Sequence, residues 1–378
     1  MPEVDPIPLA RLTTLRTGGV PARLIEARTR EELIATLREV WADGEPALVL
    51  GGGSNVFLGD GPFEETVIRV ATQGIERLPS PVPGHARLRV EAGHDWVDVV
   101  DHAVAAGLAG VEAMAGIPGT AGAAPIQNIG AYGQDLSQTL VEVELLDELT
   151  GELSVVPADD LGLGFRTSAL KHHYGSTAAR SGVIVSITLE LADIGHDPLP
   201  VRSSQLRAAL GAGESGRIGL AHVRDLVVKM RRATGMVLDP EDSDTNSVGS
   251  FFQNAIVSAA FAATLPADCP RWPLGPDRDE VVIIPLDRYQ GIVPVQAGET
   301  PDFKLSSAWL IEHAGVRKGF RLPRSRAAVS TKHALALVNR GGATAEEVAE
   351  LARYVRLRVE SEFGLRLHVE PMLLGVEI

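Results

Sequence analysis

Leu33, Ile34, Leu37 and Val40 recur at helical spacing, and Thr29 with Glu32 three residues later forms a capping-box pattern ahead of them, so residues 30–42 are predicted as a helix. The apolar run Pro46–Leu50 reads as a strand, and it ends in Gly51, Gly52, Gly53, Ser54 and Asn55. β-Branched residues bounded by turn residues predict further strands at 66–70, 87–92, 140–147 and 183–191. Between them, the Asp95 cap and the apolar face of Val99, Val100 and Ala103 predict a helix from Asp95 to Ala106. Residues 113–133 are different: glycine, alanine, proline and amides with almost no large side chains, a composition that lets backbone approach a partner closely. Residues 193–216 are largely polar, and the main domain boundary is placed there. A second half then opens with a helix over 219–232, carries 249–254 in a turn or strand, and has a helix over 305–314. Thr344 and Glu347 repeat the capping box for a last helix to about residue 361, and an apolar strand is predicted from Arg366 to Leu374.

At 378 residues the chain is long enough for two or three domains, and 45% hydrophobic with 22% charged residues excludes wholesale disorder. No apolar run reaches the ~18–20 residues that span a bilayer, and MPEVDPIPLARL lacks the basic and apolar regions of a secretory leader, so a cytoplasmic location without membrane association is expected. The balance of 35 basic and 49 acidic residues, a net −14, argues against a general nucleic-acid binder, so any anionic ligand needs locally gathered cations. Cys269 stands alone and forms no intrachain disulfide. His172 and His173 are adjacent, which points their side chains apart, so no metal is expected.

The loop Gly51–Asn55 directly after a strand offers successive backbone NH groups to a diphosphate, with Ser54 and Asn55 adding side-chain donors. It has neither the Rossmann spacing nor the Lys-Ser/Thr pair of a Walker loop, and by itself it is equally consistent with a structural turn. Ile117, Pro118, Gly119, Thr120, Ala121 and Gly122, then Pro125 to Gly133 with Gln127, Asn128, Ile129 and Gly130, read as a second wall for a large cofactor.

Six strings occur in order: LGGGSNVFL, GIPGTAGAAPIQNIGAYG, GFRTSALKH, SVGSFFQN, SSAWLIEHAG and HVEP. Together they resemble the UDP-N-acetylenolpyruvoylglucosamine reductase (MurB) family of flavoenzymes, from about Leu15 to Glu370. The resemblance implies an α+β protein, with an FAD-binding domain of the vanillyl-alcohol oxidase type followed by a smaller α+β substrate-binding domain. The corresponding division is residues 1–194 for FAD, 195–214 as connecting loop, 215–362 for substrate, and 363–378 as a C-terminal strand returning to the active site.

It further implies a hydride relay from NADPH through non-covalent FAD to C3 of an enolpyruvyl nucleotide sugar, with protonation at C2. The product is UDP-N-acetylmuramate, for peptidoglycan and cell-wall synthesis. Arg166 matches the family arginine that stabilises the enolate form, Ser250 the serine that delivers the proton, and Glu370 the glutamate near the C-terminus. A carboxyl on an otherwise apolar strand is expected to have a raised pKa or a cationic partner. Arg231 resembles an arginine on the flavin side, and Asn254 and Lys332, with His333, match polar substrate contacts. Phe251 and Phe252 are expected to help exclude water.

The chain departs from the family pattern at three places. Ser203 stands where a lid tyrosine is usual, Thr234 replaces a lysine two residues before Met236-Val237-Leu238-Asp239, and Gln253 replaces a basic residue. Arg202, Lys229, Arg231 and Arg232 are near enough in sequence to supply the missing cations. These departures leave two alternatives: a related flavin reductase with another acceptor, and a flavin-binding protein without catalysis.

Overall fold

The computed structural model describes residues 2–171, 178–201, 203–210, 217–274 and 302–378. His172, His173 and Arg202 lie outside them.

The N-terminal sheet has the order Glu3–Val4, Pro21–Ala27, Phe63–Val70, Ala47–Leu50, and its last three strands pair in parallel. The helix Arg30–Ala42 crosses between two of them, and Thr29 and Glu32 close the capping box in both directions. Its Leu33, Leu37 and Val40 are wholly buried against Ile25 and Ile68. The spacing of those three side chains is what turns one helix face onto the sheet.

A second, antiparallel sheet follows in the order Leu153–Pro157, Leu140–Asp147, Gly182–Asp193, His85–Glu91, Ile75–Pro79, with Leu108–Ala109 added beside Asp193. The helix Trp96–Ala105, capped by Asp95 through the Val97 amide, buries Val99, Val100 and Ala103 against it. The helix Leu220–Ala233, expected to open the second half, packs here instead: Leu220, Val223 and Val227 join this first large core. Its apolar stripe matches the helix Trp96–Ala105, so the boundary expected near residue 215 falls inside the first packing unit. The polar stretch before it is not all loop, since Ser204–Leu210 is a short helix.

The second large core gathers the helices Ser307–His313 and Ala345–Phe363, the strands Ile256–Val257 and Asp302–Leu305, and the ribbon Ala327–Val329 with Leu337–Asn339, while Arg271–Leu274 pairs with Asp302–Leu305 outside it. Leu15 and Phe57 from the N-terminal region are buried in it as well. The strand expected from Arg366 to Leu374 is regular only at Met372–Leu374, which pairs in parallel with Val56–Leu58. Pro371 has no amide hydrogen, so the ladder begins after it, with the Met372 amide donating to the Asn55 carbonyl at 3.0 Å. Residues before Pro371 lie along the Phe252 segment through a single bridge at Val369. No helix among the described residues is long and apolar enough to cross a membrane.

Candidate active site

The strand Ala47–Leu50 delivers the Gly51–Asn55 loop against the loop Ile117–Gly130. A Cβ on Gly52 would stand 2.7 Å from Gly119 Cα, so the two backbones meet only because neither carries a side chain there. Gly53 adopts φ 61°, and a Cβ would drive into the Leu12 carbonyl. Ser54 and Asn55 clamp the loops to each other: Ser54 Oγ donates to the Pro118 carbonyl at 2.9 Å, and Asn55 Nδ2 donates to Gln127 Oε1 at 2.7 Å.

A cleft of about 270 Å³ opens between the loops. An adjoining cavity of about 580 Å³, with Lys171 and Gly182–Ile184 on its wall, shares Gly51, Thr120, Ala123 and Glu370 with it. Gly51–Asn55, Ile117–Gly119, Gln127, Ile129, Gly130, Arg166, Arg231, Ser250 and Glu370 line the cleft, whereas Asn128, Asn254, Lys332 and His333 do not.

Arg166 and Glu370 meet across it. Gly164 and Thr167 form a tight turn with Arg166 near its tip at φ 57°, a left-handed backbone that costs a non-glycine residue on the order of 1–3 kcal/mol. The turn aims Arg166 so that Nε lies 3.2 Å from Glu370 Oε1, while its Nη atoms donate to the carbonyls of Gly130 and Asn128 at 3.0 and 3.4 Å. Burial pushes the Glu370 carboxyl above the usual range, and Arg166 and then Lys171 oppose that push. The raised pKa and the cationic partner expected for this carboxyl are both present.

Ser250 lines the same cleft, just after Gly249 at φ 75°. Phe251 and Phe252, wholly buried, stack edge to face with centroids 5.2 Å apart. They anchor the serine's backbone from the second core and do not cover the cleft. Arg231 enters from the helix end at the opposite wall, its Nη2 donating to the Met236 carbonyl at 2.8 Å. Burial pushes its guanidinium down to about 10, with Tyr132 raising it and Arg166 lowering it further.

Three expected contacts take other roles. Asn128 is buried and braces the Arg166 turn, Nδ2 donating to the Gly164 carbonyl at 3.1 Å and Oδ1 accepting from the Ser137 amide at 2.9 Å. Asn254 Oδ1 accepts from the Ser307 amide at 3.1 Å, which fixes the start of the helix Ser307–His313. The Lys332 ammonium is paired with Asp242, a short charge-assisted bond that raises its pKa and turns it away from the cleft.

The departures are similarly occupied. Thr234 Oγ1 donates to the Arg231 carbonyl at 3.0 Å as a helix cap, and Ser203 Oγ accepts from the Leu206 amide at 3.4 Å. Lys229 and Arg232 are exposed outside the cleft, so Arg231 is the substitute cation that reaches it among the described residues. A residue that sequence reasoning passed over is Lys171, buried at the junction of the cleft and the adjoining cavity.

Residues 21–156 match the model of the FAD binding domain family, and residues 239–374 match that of the UDP-N-acetylenolpyruvoylglucosamine reductase C-terminal domain. A UDP-N-acetylenolpyruvoylglucosamine reductase from Leifsonia xyli subsp. xyli is 48% identical over 99% of this chain and 100% of its own length. The chain belongs to the MurB family. The Mycolicibacterium smegmatis MurB relative is 42% identical, covering 98% of this chain and 95% of its own. The crystal structure of MurB from Thermus caldophilus superposes with a TM-score of 0.62 at 25% identity, over 98% and 99% of the two chains. The MurB C-terminal match contains Ser250 and Glu370, and the FAD match contains both glycine loops, whereas Arg166, Lys171 and Arg231 lie between the two.

The residues present fit FAD. The close Gly52–Gly119 backbone contact brings the two glycine loops together as walls of the cleft, and Arg231 Nε is a buried donor without a partner among the described residues, in a side chain that lines the same cleft. Gly51–Gly53, Ile117–Gly119, Gln127, Ile129, Gly130 and Arg231 would hold the cofactor.

Proposed function

We infer that the protein is the NADPH-dependent flavoenzyme that reduces UDP-N-acetylenolpyruvoylglucosamine to UDP-N-acetylmuramate in peptidoglycan synthesis. The observation that carries the reading is the convergence of Arg166, Ser250 and Glu370 on one cleft, walled by the glycine loops of an FAD-binding domain.

Bound FAD supplies a hydride, drawn from NADPH, to C3 of the enolpyruvyl double bond. Charge then accumulates at C2 and spreads onto the neighbouring carboxylate, so the residues around it must offer positive charge and one proton. Arg166 supplies the charge, since a guanidinium is a permanent cation whose forked donors suit a carboxylate. Its Nη groups are fixed by the carbonyls of Asn128 and Gly130, so little reorganisation accompanies the charge development. Ser250 Oγ delivers the proton to C2, and the net change is one hydride and one proton added across the double bond. Glu370 lines the same cleft, and burial favours its protonated form, which can return to Ser250 the proton it gives up; as the carboxylate it pairs with Arg166 when substrate is absent. Neither ligand is a macromolecule, and NADPH with a nucleotide sugar as reactants supports a cytoplasmic location for the activity.

The test begins with colour, since the purified protein is expected to be yellow. Under anaerobic stopped flow, NADPH should bleach the flavin, and the enolpyruvyl nucleotide sugar should restore its colour within the turnover time. A colourless protein that FAD does not reconstitute would overturn the cofactor assignment. Bleaching by NADPH without recovery on adding the nucleotide sugar would overturn the substrate and leave a flavin reductase for another acceptor.

A further inference from the structure

Lys171 is 4% exposed. An ammonium has three donors and no acceptor, and here the three go to three separate segments. Nζ donates to Gln127 Oε1 at 3.2 Å, to the Arg166 carbonyl at 3.1 Å and to the Glu370 carbonyl at 3.4 Å. The first acceptor belongs to the second glycine loop, the next to the left-handed residue of the Gly164–Thr167 turn, and the last to the segment that brings in the catalytic carboxyl. Gln127 Oε1 also accepts from Asn55, so the same contact reaches the first glycine loop.

All its acceptors among the described residues are neutral oxygens, so among them no carboxylate bonds the charge directly. Burying an ammonium in this way is costly, and burial pushes the Lys171 pKa down while Glu370 raises it and Arg166 lowers it. An apolar side chain of similar length would fill the space without that cost. The charge is therefore the feature that needs a role.

We propose that Lys171 is a positioning residue of this active site: one buried ammonium ties the Gln127 loop, the Arg166 turn and the Glu370 segment into a single frame, and its charge acts beside that of Arg166 on the Glu370 carboxyl. The proposal rests on the assignment of Glu370 as an active-site acid. Among the described residues, the charged groups that act on Glu370 are Arg166 and Lys171, both cationic, and each favours the carboxylate. Taking away the Lys171 charge must then leave Glu370 protonated to higher pH.

Lys171→Met tests this in the flavin-loaded protein without substrate. The infrared band of the protonated Glu370 carboxyl, identified by its loss in Glu370→Gln, is titrated in wild type and variant. The midpoint is expected to rise by about one unit or more on removing the charge, and to stay near wild type in Lys171→Arg. In turnover, the pH limb of flavin reoxidation by the nucleotide sugar should move upward by the same amount, while flavin reduction by NADPH keeps its rate within about threefold. In a Glu370→Gln background, Lys171→Met should shift no pH limb.

Where Lys171→Met does not accumulate as folded protein, Lys171→Gln, which keeps donors for the carbonyls without the charge, carries the same titration. An unmoved midpoint in a folded, yellow variant overturns the proposal. So does equal slowing of both half-reactions without a pH shift, which would make Lys171 a structural residue only. Failure of the wild-type protein to use the nucleotide sugar would sink the functional reading, yet the infrared midpoint would still decide the role of Lys171.

Discussion

Ser250 is presented on a backbone with little freedom: Gly249 precedes it at φ 75°, and two buried phenylalanines follow it. Ser250→Ala should leave flavin reduction by NADPH nearly unchanged and slow reoxidation by substrate by ~10²–10⁴, with Ser250→Cys recovering part of the loss. Stopped-flow traces of the two half-reactions check this, and equal slowing of both would withdraw the serine from proton delivery. Glu370 gives a pH prediction of defined sign. Its folded pKa is raised, so between the unfolded and folded values the native state binds more protons, and stability falls as pH rises through that window. The melting temperature of Glu370→Gln relative to wild type should therefore increase from acid toward neutral pH; a constant difference would contradict the burial argument. At this scale Arg166, Ser250 and Glu370 were legible from their motif strings, and each lines the cleft. Lys171 sits in one of those strings, GFRTSALKH, and was passed over because its burial depends on carbonyls from residues 166 and 370 meeting in space. The pairing of Lys332 was hidden for the reverse reason: the acid that takes its ammonium, Asp242, lies 90 residues away.

Local pattern governs most of the elements. Both capping boxes formed where Thr-x-x-Glu preceded an apolar helical face, because cap and periodicity are short-range signals that tertiary packing here reinforces. Thr344→Ala should cost about 1 kcal/mol, read from chemical denaturation, with faster amide exchange confined to the first turn of the helix Ala345–Phe363. The glycine loops make a sharper case. Gly52→Ala places a methyl 2.7 Å from Gly119 Cα and must part the loops, so FAD affinity should drop at least tenfold, measured by flavin fluorescence on titration. Unchanged affinity would mean that the cleft between the loops is not the cofactor's. The last strand was predicted too long because alternation of apolar residues continues through Pro371, whereas the hydrogen-bond ladder cannot. The partner of the helix Leu220–Ala233 was equally hidden, since its stripe is compatible with either core and only the fold chooses.

Across the whole molecule, the second core is assembled from distant parts of the chain. Phe57 and Phe251 stack edge to face with centroids 5.7 Å apart, joining the first glycine loop's strand to the segment of Ser250. Phe251→Ala should destabilise the protein by about 3–5 kcal/mol, measured by denaturant unfolding, and should loosen flavin as well because it frees both walls of the cleft. Glu370 reaches this cleft because Met372–Leu374 zips in parallel beside Val56–Leu58. During synthesis that pairing joins a segment to one made 316 residues later (372 − 56). Arg166 leaves the peptidyl-transferase centre 204 residues ahead of Glu370 (370 − 166), an interval of about 10–40 s at bacterial-like elongation rates. Once residues 182–193 and 220–233 have followed it, the nascent chain has every part of the antiparallel core and an arginine turn whose carboxylate partner has not yet been translated. The ribosome-bound protein thus carries a half-built pocket, and its competence as a reductase begins with the last strand to dock.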